Sequence, residues 1–336
     1  MRSSSTFNGS AAGRIDRRTF IALSAAGLAM PGILRAAPAY PTKPVRIVVP
    51  YGPGGIADVT MRLVADQLSK KFNQQFFIEN RPGAGGVVGI GAALAAPADG
   101  YTMMMIGGGL CIAKALFKHL PYDIEKDIQP LSTTASYSLV VVSKAGSKYQ
   151  TIKDVVAAAK AKPGSLNVGT INAGSTQNLS AELFRIRAGI DVAIVPYKTT
   201  PELASAVLRG DVDLAFEYYA GMQSPIVNKQ VTVLATTGKT RASNLPNVPT
   251  VMEAGVPNYD VTSWNGLGVH AGTPAPLVTL LHDAIDEALK SEKVQTFSKK
   301  AGMDAKGMDP DAMKTLIKED VATWTEVIQK AGIKKR

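Results

Sequence analysis

Short apolar runs alternate with amphipathic stretches along most of this chain. Val45-Arg46-Ile47-Val48-Val49 has the β-branched content of a buried strand. From Ala57 to Phe72 the apolar positions Ala57, Met61, Val64, Leu68 and Phe72 recur at three- and four-residue spacing, which predicts a helix with one buried face. The alternation continues. Strands are expected at Phe76 to Glu79, Tyr101 to Ile106 and Leu139 to Ser143, and near 166–170, 192–197, 212–217 and 231–236. A Gly/Ala-rich helix is expected over 83–96, a helix capped by Thr151 up to about Lys162, and others over 176–187 and 201–209. Thr200 reads as the cap of that last helix, with Pro201 at its first position and Gly210 just past its end. Strands alternating with helices specify an α/β fold with mostly parallel sheets.

The end of the chain breaks this rhythm. After the fixed loop Leu245-Pro246-Asn247-Val248-Pro249-Thr250 comes one strand, Trp264 to Val269, and then only helices from about Pro276. Those helices have no β partners of their own and are expected to pack on the first sheet. The expected organisation is a discontinuous first lobe, 40–143 plus 264–336, and a second lobe, 144–263. Two chain crossings of this kind make a hinge beside a cleft.

Composition adds compartment. The formal charge is +10, but the first 39 residues hold five arginines against Asp16 alone, which leaves +6 on the rest. No basic tract interleaved with aromatics occurs, so nucleic acid is excluded as a partner. Asp16-Arg17-Arg18-Thr19-Phe20, an apolar run to Met30 and then Ala37-Pro38-Ala39 follow the order of an export signal over residues 1–39. The paired arginines favour the twin-arginine route, with a Sec signal as the alternative. The apolar run is too short to span a bilayer, which takes about 20 residues. A periplasmic, monomeric protein is expected. Cys111, the single cysteine, reads as a small buried hydrophobe.

Two segments share one design, a strand, a glycine loop and then a helix. They are Tyr51-Gly52-Pro53-Gly54-Gly55-Ile56-Ala57-Asp58 and Gly169-Thr170-Ile171-Asn172-Ala173-Gly174-Ser175-Thr176. Such loops aim unpaired N–H groups and a positive helix end at one spot, which suits a carboxylate. Ser175 and Thr176 read either as ligand donors or as helix caps. Asp58 reads either as a brace for the first helical turn or as an acceptor for a ligand hydroxyl or amine. Tyr51, Tyr197, Tyr218 and Tyr219 lie at or beyond the C-terminal ends of strands, where α/β folds hold ligands. On a strand Tyr218 and Tyr219 cannot face the same way. A cleft-facing Tyr218, with Glu217 inward, favours a monocarboxylate with an aromatic or polar far end.

Enzymatic chemistry finds little support. His119, His270 and His282 lack metal-ligand spacing, and neither a G-x-S-x-G elbow nor a phosphate loop is present. Gly83-Ala84-Gly85-Gly86-Val87-Val88 approaches a dinucleotide fingerprint, but Val88 stands where a small residue is needed. It is better read as a close helix–sheet contact. No cofactor, metal or catalytic residue is expected.

Several motifs then fall in a known order: Pro50-Tyr51-Gly52-Pro53-Gly54-Gly55 with Asp58, Glu79-Asn80-Arg81-Pro82-Gly83-Ala84-Gly85-Gly86, Ala98-Asp99-Gly100-Tyr101-Thr102, Leu120-Pro121-Tyr122-Asp123, Val195-Pro196-Tyr197-Lys198, Leu245-Pro246-Asn247-Val248-Pro249-Thr250 and Glu253-Ala254-Gly255. From Pro41 to Gly332 the chain resembles the tripartite tricarboxylate transporter receptors, the Bug family of periplasmic solute-binding proteins. The resemblance implies a type II periplasmic-binding fold, two α/β lobes with a ligand cleft between them. It also implies a small organic anion as ligand and membrane transporter subunits as partners; a ligand sensor for a membrane receptor is the alternative. By motif it assigns ligand contacts to Tyr51, Gly54, Gly55, Ile56 and Asp58, and to Thr170, Asn172, Gly174, Ser175 and Thr176. The chain departs from the family pattern at Thr170, Asn178, Thr199 and Glu217-Tyr218-Tyr219.

Overall fold

The computed structural model describes residues 40–335, so the expected export signal lies outside the described residues. The first elements follow the predicted grammar: β1 (Val45–Val49), α1 (Ile56–Phe72), β2 (Phe76–Asn80), α2 (Val87–Leu94) and β3 (Thr102–Gly107). β1 pairs in parallel with β2 on one side and β3 on the other. Its residues Val45, Ile47, Val48 and Val49 are fully buried, as a strand covered on both faces requires. Gly89 on α2 is where the helix closes on the sheet. A Cβ there would lie 2.7 Å from the Arg81 carbonyl oxygen and 3.2 Å from Pro50 Cα. The close contact read from the glycine-rich segment is therefore real, and it backs the loop that follows β1.

β4 (Ile128–Lys144) is the element that organises the molecule. Its residues up to Ser138 pair with β9 (Thr262–His270), which continues through β3 into the first sheet. From Leu139 onward the same strand lies between β7 (Leu214–Tyr218) and β8 (Val231–Thr236). Only the second half was expected as a strand. The first half carries Ser132, Thr133 and Thr134, a polar run that looks like loop. All three are buried, and their hydroxyls donate to Asp286 Oδ1 (2.9 Å), the Lys306 carbonyl (2.8 Å) and the Asn265 carbonyl (3.2 Å). Tertiary partners, not sequence pattern, make that stretch a strand.

The second sheet adds β5 (Asn167–Ile171) and β6 (Ala193–Tyr197), giving the order β2-β1-β3-β9-β4-β7-β5-β6 with β8 beside β4. Parallel pairing was expected to dominate, but β3–β9, β4–β9, β4–β7 and β4–β8 are antiparallel. The reason is that β4 and β9 run directly from one sheet towards the other, with no crossover helix to reverse the chain. Around this sheet pack α4 (Ile152–Ala161), α5 (Thr176–Ala188) and α6 (Thr200–Arg209). Thr151 caps α4 through a full capping box with Asp154, as expected. The cap of α6 is Thr199 rather than Thr200, one residue earlier than the sequence suggested.

Two helices escaped prediction. α3 (Gly108–Leu116) starts from Gly107, and α7 (Tyr219–Val227) contains Pro225. Both have poor intrinsic propensity and are held by packing. Leu110, Cys111, Ile112, Ala113, Ala115 and Leu116 of α3 are all buried, which places the cysteine where it was expected. The last helices are α8 (Ala275–Leu289), α9 (Glu292–Ala301) and α10 (Pro310–Lys330). α8 packs on β4 and α1, and α10 on α3 and β4. α10 also reaches α5, where the two Arg187 guanidinium nitrogens pair with the Glu326 carboxylate at 3.2 Å. No helix among the described residues is long and apolar enough to cross a membrane.

Candidate functional site

The loop after β1 is held from within. Gly54 adopts φ +83°, a left-handed conformation that favours glycine, and its N–H donates to Asp58 Oδ2 at 2.9 Å. Arg62 Nε donates to the same oxygen at 2.9 Å, and Asn80 Nδ2 to the other at 2.8 Å. Asn80 Nδ2 also reaches the Tyr51 carbonyl at 3.0 Å. Burial works against the Asp58 charge, but the bonds from Arg62, Gly54 and Asn80 outweigh it and hold the carboxyl below its ordinary range. Asp58 is 2% exposed, so it braces the loop. Asn80, which the sequence placed in a motif without a role, is the hub joining β2 to Tyr51 and Asp58. Gly54 and Gly55 remain exposed, and Gly55 caps α1 with no side-chain bond, so its first-turn N–H groups stay unclaimed by a capping side chain. Ile56 begins that helix.

The loop after β5 repeats the device with different chemistry. Gly174, at φ +81°, donates its N–H to Asn178 Oδ1 at 2.9 Å, four residues on, as Gly54 does to Asp58. Here the brace is neutral, and the first turn of α5 carries no acid. The positive end of α5 is therefore less cancelled than that of α1 and is the better seat for an anion. Ser175 caps α5: its Oγ accepts from Asn178 N at 3.1 Å and donates to the Ile171 carbonyl at 2.7 Å. Thr170 is fully buried and receives Asn178 Nδ2 at 3.3 Å. Asn172, at φ 20°, donates its N–H to the Tyr197 carbonyl at 2.9 Å. Of this loop, Thr176 is the residue that reaches a cavity wall.

Two adjoining cavities, about 140 and about 70 Å³, share Tyr137 and Tyr218 as walls. The larger is completed by Ala57 of α1, Tyr219 and Met303 among others. The smaller brings together Tyr51 of the first loop, Thr176 of the second, and Trp264, Asn265 and Asp320. Tyr137 and Tyr218 meet edge to face with ring centres 5.2 Å apart. Tyr218 Oη lies 2.9 Å from Ser263 Oγ, and Tyr137 donates to Asn265 Oδ1 at 3.3 Å. The Tyr51 ring is 37% exposed, but its hydroxyl end is tucked over α3, 2.9 Å from where a Cβ on Gly109 would sit. Burial pushes Tyr51 up to about 12, Tyr137 well above its ordinary value and Tyr218 upward as well. All three stay neutral hydroxyls near pH 7.

Asp320 of α10 is the carboxylic acid that lines the smaller cavity. Its Oδ2 accepts Trp264 Nε1–H at 2.7 Å. Burial raises its carboxyl to about 6; the tryptophan bond opposes the shift, and the nearby acids Asp260 and Glu319 add to it. Among the described residues no cluster of His, Cys, Asp or Glu has the geometry of a metal site.

Other residues singled out from sequence fall elsewhere. Glu217 is 1% exposed and lines neither cavity: its oxygens accept from Gln177 Nε2 (2.8 Å), Thr200 Oγ1 (2.8 Å) and the Tyr218 N–H (2.7 Å). The inward-facing Glu217 expected at the cleft is instead turned into the second sheet's helix layer. Tyr197 is half-buried against the apolar cluster of Leu203 and Val207. Tyr218 and Tyr219 do reach the same cavity, against expectation, because the strand stops at Tyr218 and α7 begins at Tyr219. Sequence reasoning missed Tyr137, Asn265 and Asp320, which lie in stretches with no glycine loop or motif to mark them.

Comparison with known proteins finds relatives along most of the chain. A family model described as tripartite tricarboxylate transporter family receptor matches residues 60–333. BugT of Bordetella pertussis is 30% identical over 316 residues, 94% of this chain and 96% of that protein. A Rhodopseudomonas palustris protein solved with adipate is 30% identical with a TM-score of 0.72, covering 87% of this chain and 98% of its own. MatC of the same organism, solved with bound malate, is 27% identical with a TM-score of 0.69, over 86% of this chain and all of its own.

Proposed function

Because the chain belongs to the tripartite tricarboxylate transporter receptor family, we propose that it is a periplasmic solute-binding receptor that captures a small organic carboxylate and hands it to membrane transporter subunits, catalysing no reaction. One observation carries the reading. Two helices, α1 and α5, open from braced glycine loops, and a residue of each loop, Tyr51 and Thr176, reaches the same cavity. The helix starts beside that cavity offer backbone N–H groups and a positive end to the ligand's carboxylate without using an arginine or lysine, while the cavity itself takes the rest of the ligand. The adipate and malate held by the two R. palustris relatives support the ligand class. Isothermal titration should show heat with small organic acids and none with their amides lacking any carboxylate, or with neutral sugars. Tight binding of an uncharged sugar would sink the carboxylate reading.

Closure is the second part of the proposal. β4 changes sheet partners between Ser138 and Leu139, and β9 takes up the return pairing at Thr262 opposite Ser138. The two strands cross side by side there, earlier than the 143–144 expected from sequence for the first crossing. The lobes, 41–138 with 262–335 and 139–261, would hinge at that point. Solution scattering should give a smaller radius of gyration with saturating ligand than without. Confirmed binding at an unchanged radius would count against closure.

A further inference from the structure

The carboxylate reading leaves the other end of the ligand unspecified, and the smaller cavity holds two groups that constrain it. Asn265 is 4% exposed, and its Oδ1 is taken by the Tyr137 hydroxyl. Its Nδ2 is buried without any hydrogen-bond partner, and Asn265 lines the smaller cavity. A buried donor left unpaired is costly, so it calls for an acceptor, which a ligand in the cavity that Asn265 lines would bring. Asp320 poses the opposite demand. One oxygen receives Trp264 Nε1–H, and among the described residues the other receives nothing. The charged groups acting on it are Asp260 and Glu319, both acids; Lys239 acts on Asp260, and no cation acts on Asp320 itself among the described residues. A second carboxylate brought there would meet like charge in a partly desolvated site. Of the other acids nearby, Glu217 is satisfied by Gln177, Thr200 and the Tyr218 N–H, Asp58 by Gly54, Arg62 and Asn80, and Asp260 accepts from Thr262; none of the three lines the smaller cavity. Asp320 is therefore the acceptor left open to a ligand.

Resting on the carboxylate reading, we propose that the far end of the ligand is a neutral group that both donates and accepts hydrogen bonds, a hydroxyl or a primary amide, selected by Asp320 and Asn265 together. The donor of that group faces the free Asp320 oxygen, and its acceptor takes the Asn265 Nδ2 proton. Each rival terminus fails at least one partner. A carboxylate is repelled by Asp320, an ammonium has no lone pair for Asn265, and a methyl satisfies neither. A site built to hydrogen-bond a substrate group rejects the analogue lacking it, because its own buried groups are then left unpaired. The volume of about 70 Å³ suits a small polar terminus and not a ring.

The test is isothermal titration at pH 8, where both carboxylates of a diacid are ionised, with straight-chain four- to six-carbon acids. Each length is offered with a methyl, hydroxyl, carboxamide, ammonium or second carboxylate at the far end. The hydroxyl and carboxamide members should bind about tenfold or more tighter than the others of equal length. Asp320→Asn replaces an acceptor with a donor, so it should shift preference towards the dicarboxylate rather than weaken all members alike. A wild-type ranking with the dicarboxylate first, or with all termini equal, overturns the proposal and leaves the carboxylate reading standing. Absence of binding by every member overturns both. The wild-type ranking decides the matter even where the variant does not fold.

Discussion

Replacing Glu217 by alanine should lower the unfolding free energy by about 3–4 kcal/mol, the scale of breaking a buried, fully bonded carboxylate site. Three donors depend on it: Gln177 at the start of α5, Thr200 at the start of α6 and the Tyr218 N–H at the start of α7. The N-termini of three helices thus converge on one internal carboxylate. Alanine removes the acceptor from all three donors, of which Gln177 is buried and the other two half-buried. Glu217→Gln keeps the shape but turns one acceptor into a donor, so it should cost less, about 1–2 kcal/mol. Urea unfolding of the ligand-free protein gives both numbers. Losses below about 1 kcal/mol for the alanine variant would mean that the carboxylate is not the tie between these helices.

Asp320→Asn should stabilise the ligand-free protein above neutral pH and leave it nearly unchanged below pH 4. The folded protein holds this carboxyl at about 6, above the roughly 3.9 of an unfolded aspartate. A raised acid binds its proton more tightly in the folded state, so the stability it confers is present at low pH and is lost as pH rises from about 4 to about 6. Two pH units correspond to about 3 kcal/mol, and the half-buried position of Asp320 reduces this to about 2 kcal/mol. The difference between variant and wild type should open across that window and then stay constant. Asparagine can still accept the Trp264 Nε1–H, so the comparison isolates the charge. A constant difference at all pH values would assign Asp320 an ordinary ionisation. A carboxylate that weakens the fold at neutral pH and faces a cavity is the pattern of a group kept for binding.

The fold was legible to the extent that local pattern and glycine placement decide it. The periodicity over Ala57 to Phe72 marks α1, the β-branched runs mark β1, β5 and β8, and Thr151 with Asp154 marks the start of α4. The two glycine loops were legible for the same reason. A strand, a left-handed glycine and a helix start are adjacent in sequence, and both braces, Gly54 to Asp58 and Gly174 to Asn178, close within one turn. What sequence could not decide were features satisfied by distant partners. The first half of β4 is a strand because Asp286, Lys306 and Asn265 receive its buried hydroxyls. α3 is a helix despite its opening glycines because its apolar residues are buried from several sides. Glu217 turns away from the cleft because three helix starts meet behind it. Asp320 enters the cavity because α10 folds back onto α3. Short-range geometry wrote the loops into the chain, whereas burial, which depends on partners in other elements of the fold, chose which polar side chains the cleft would keep.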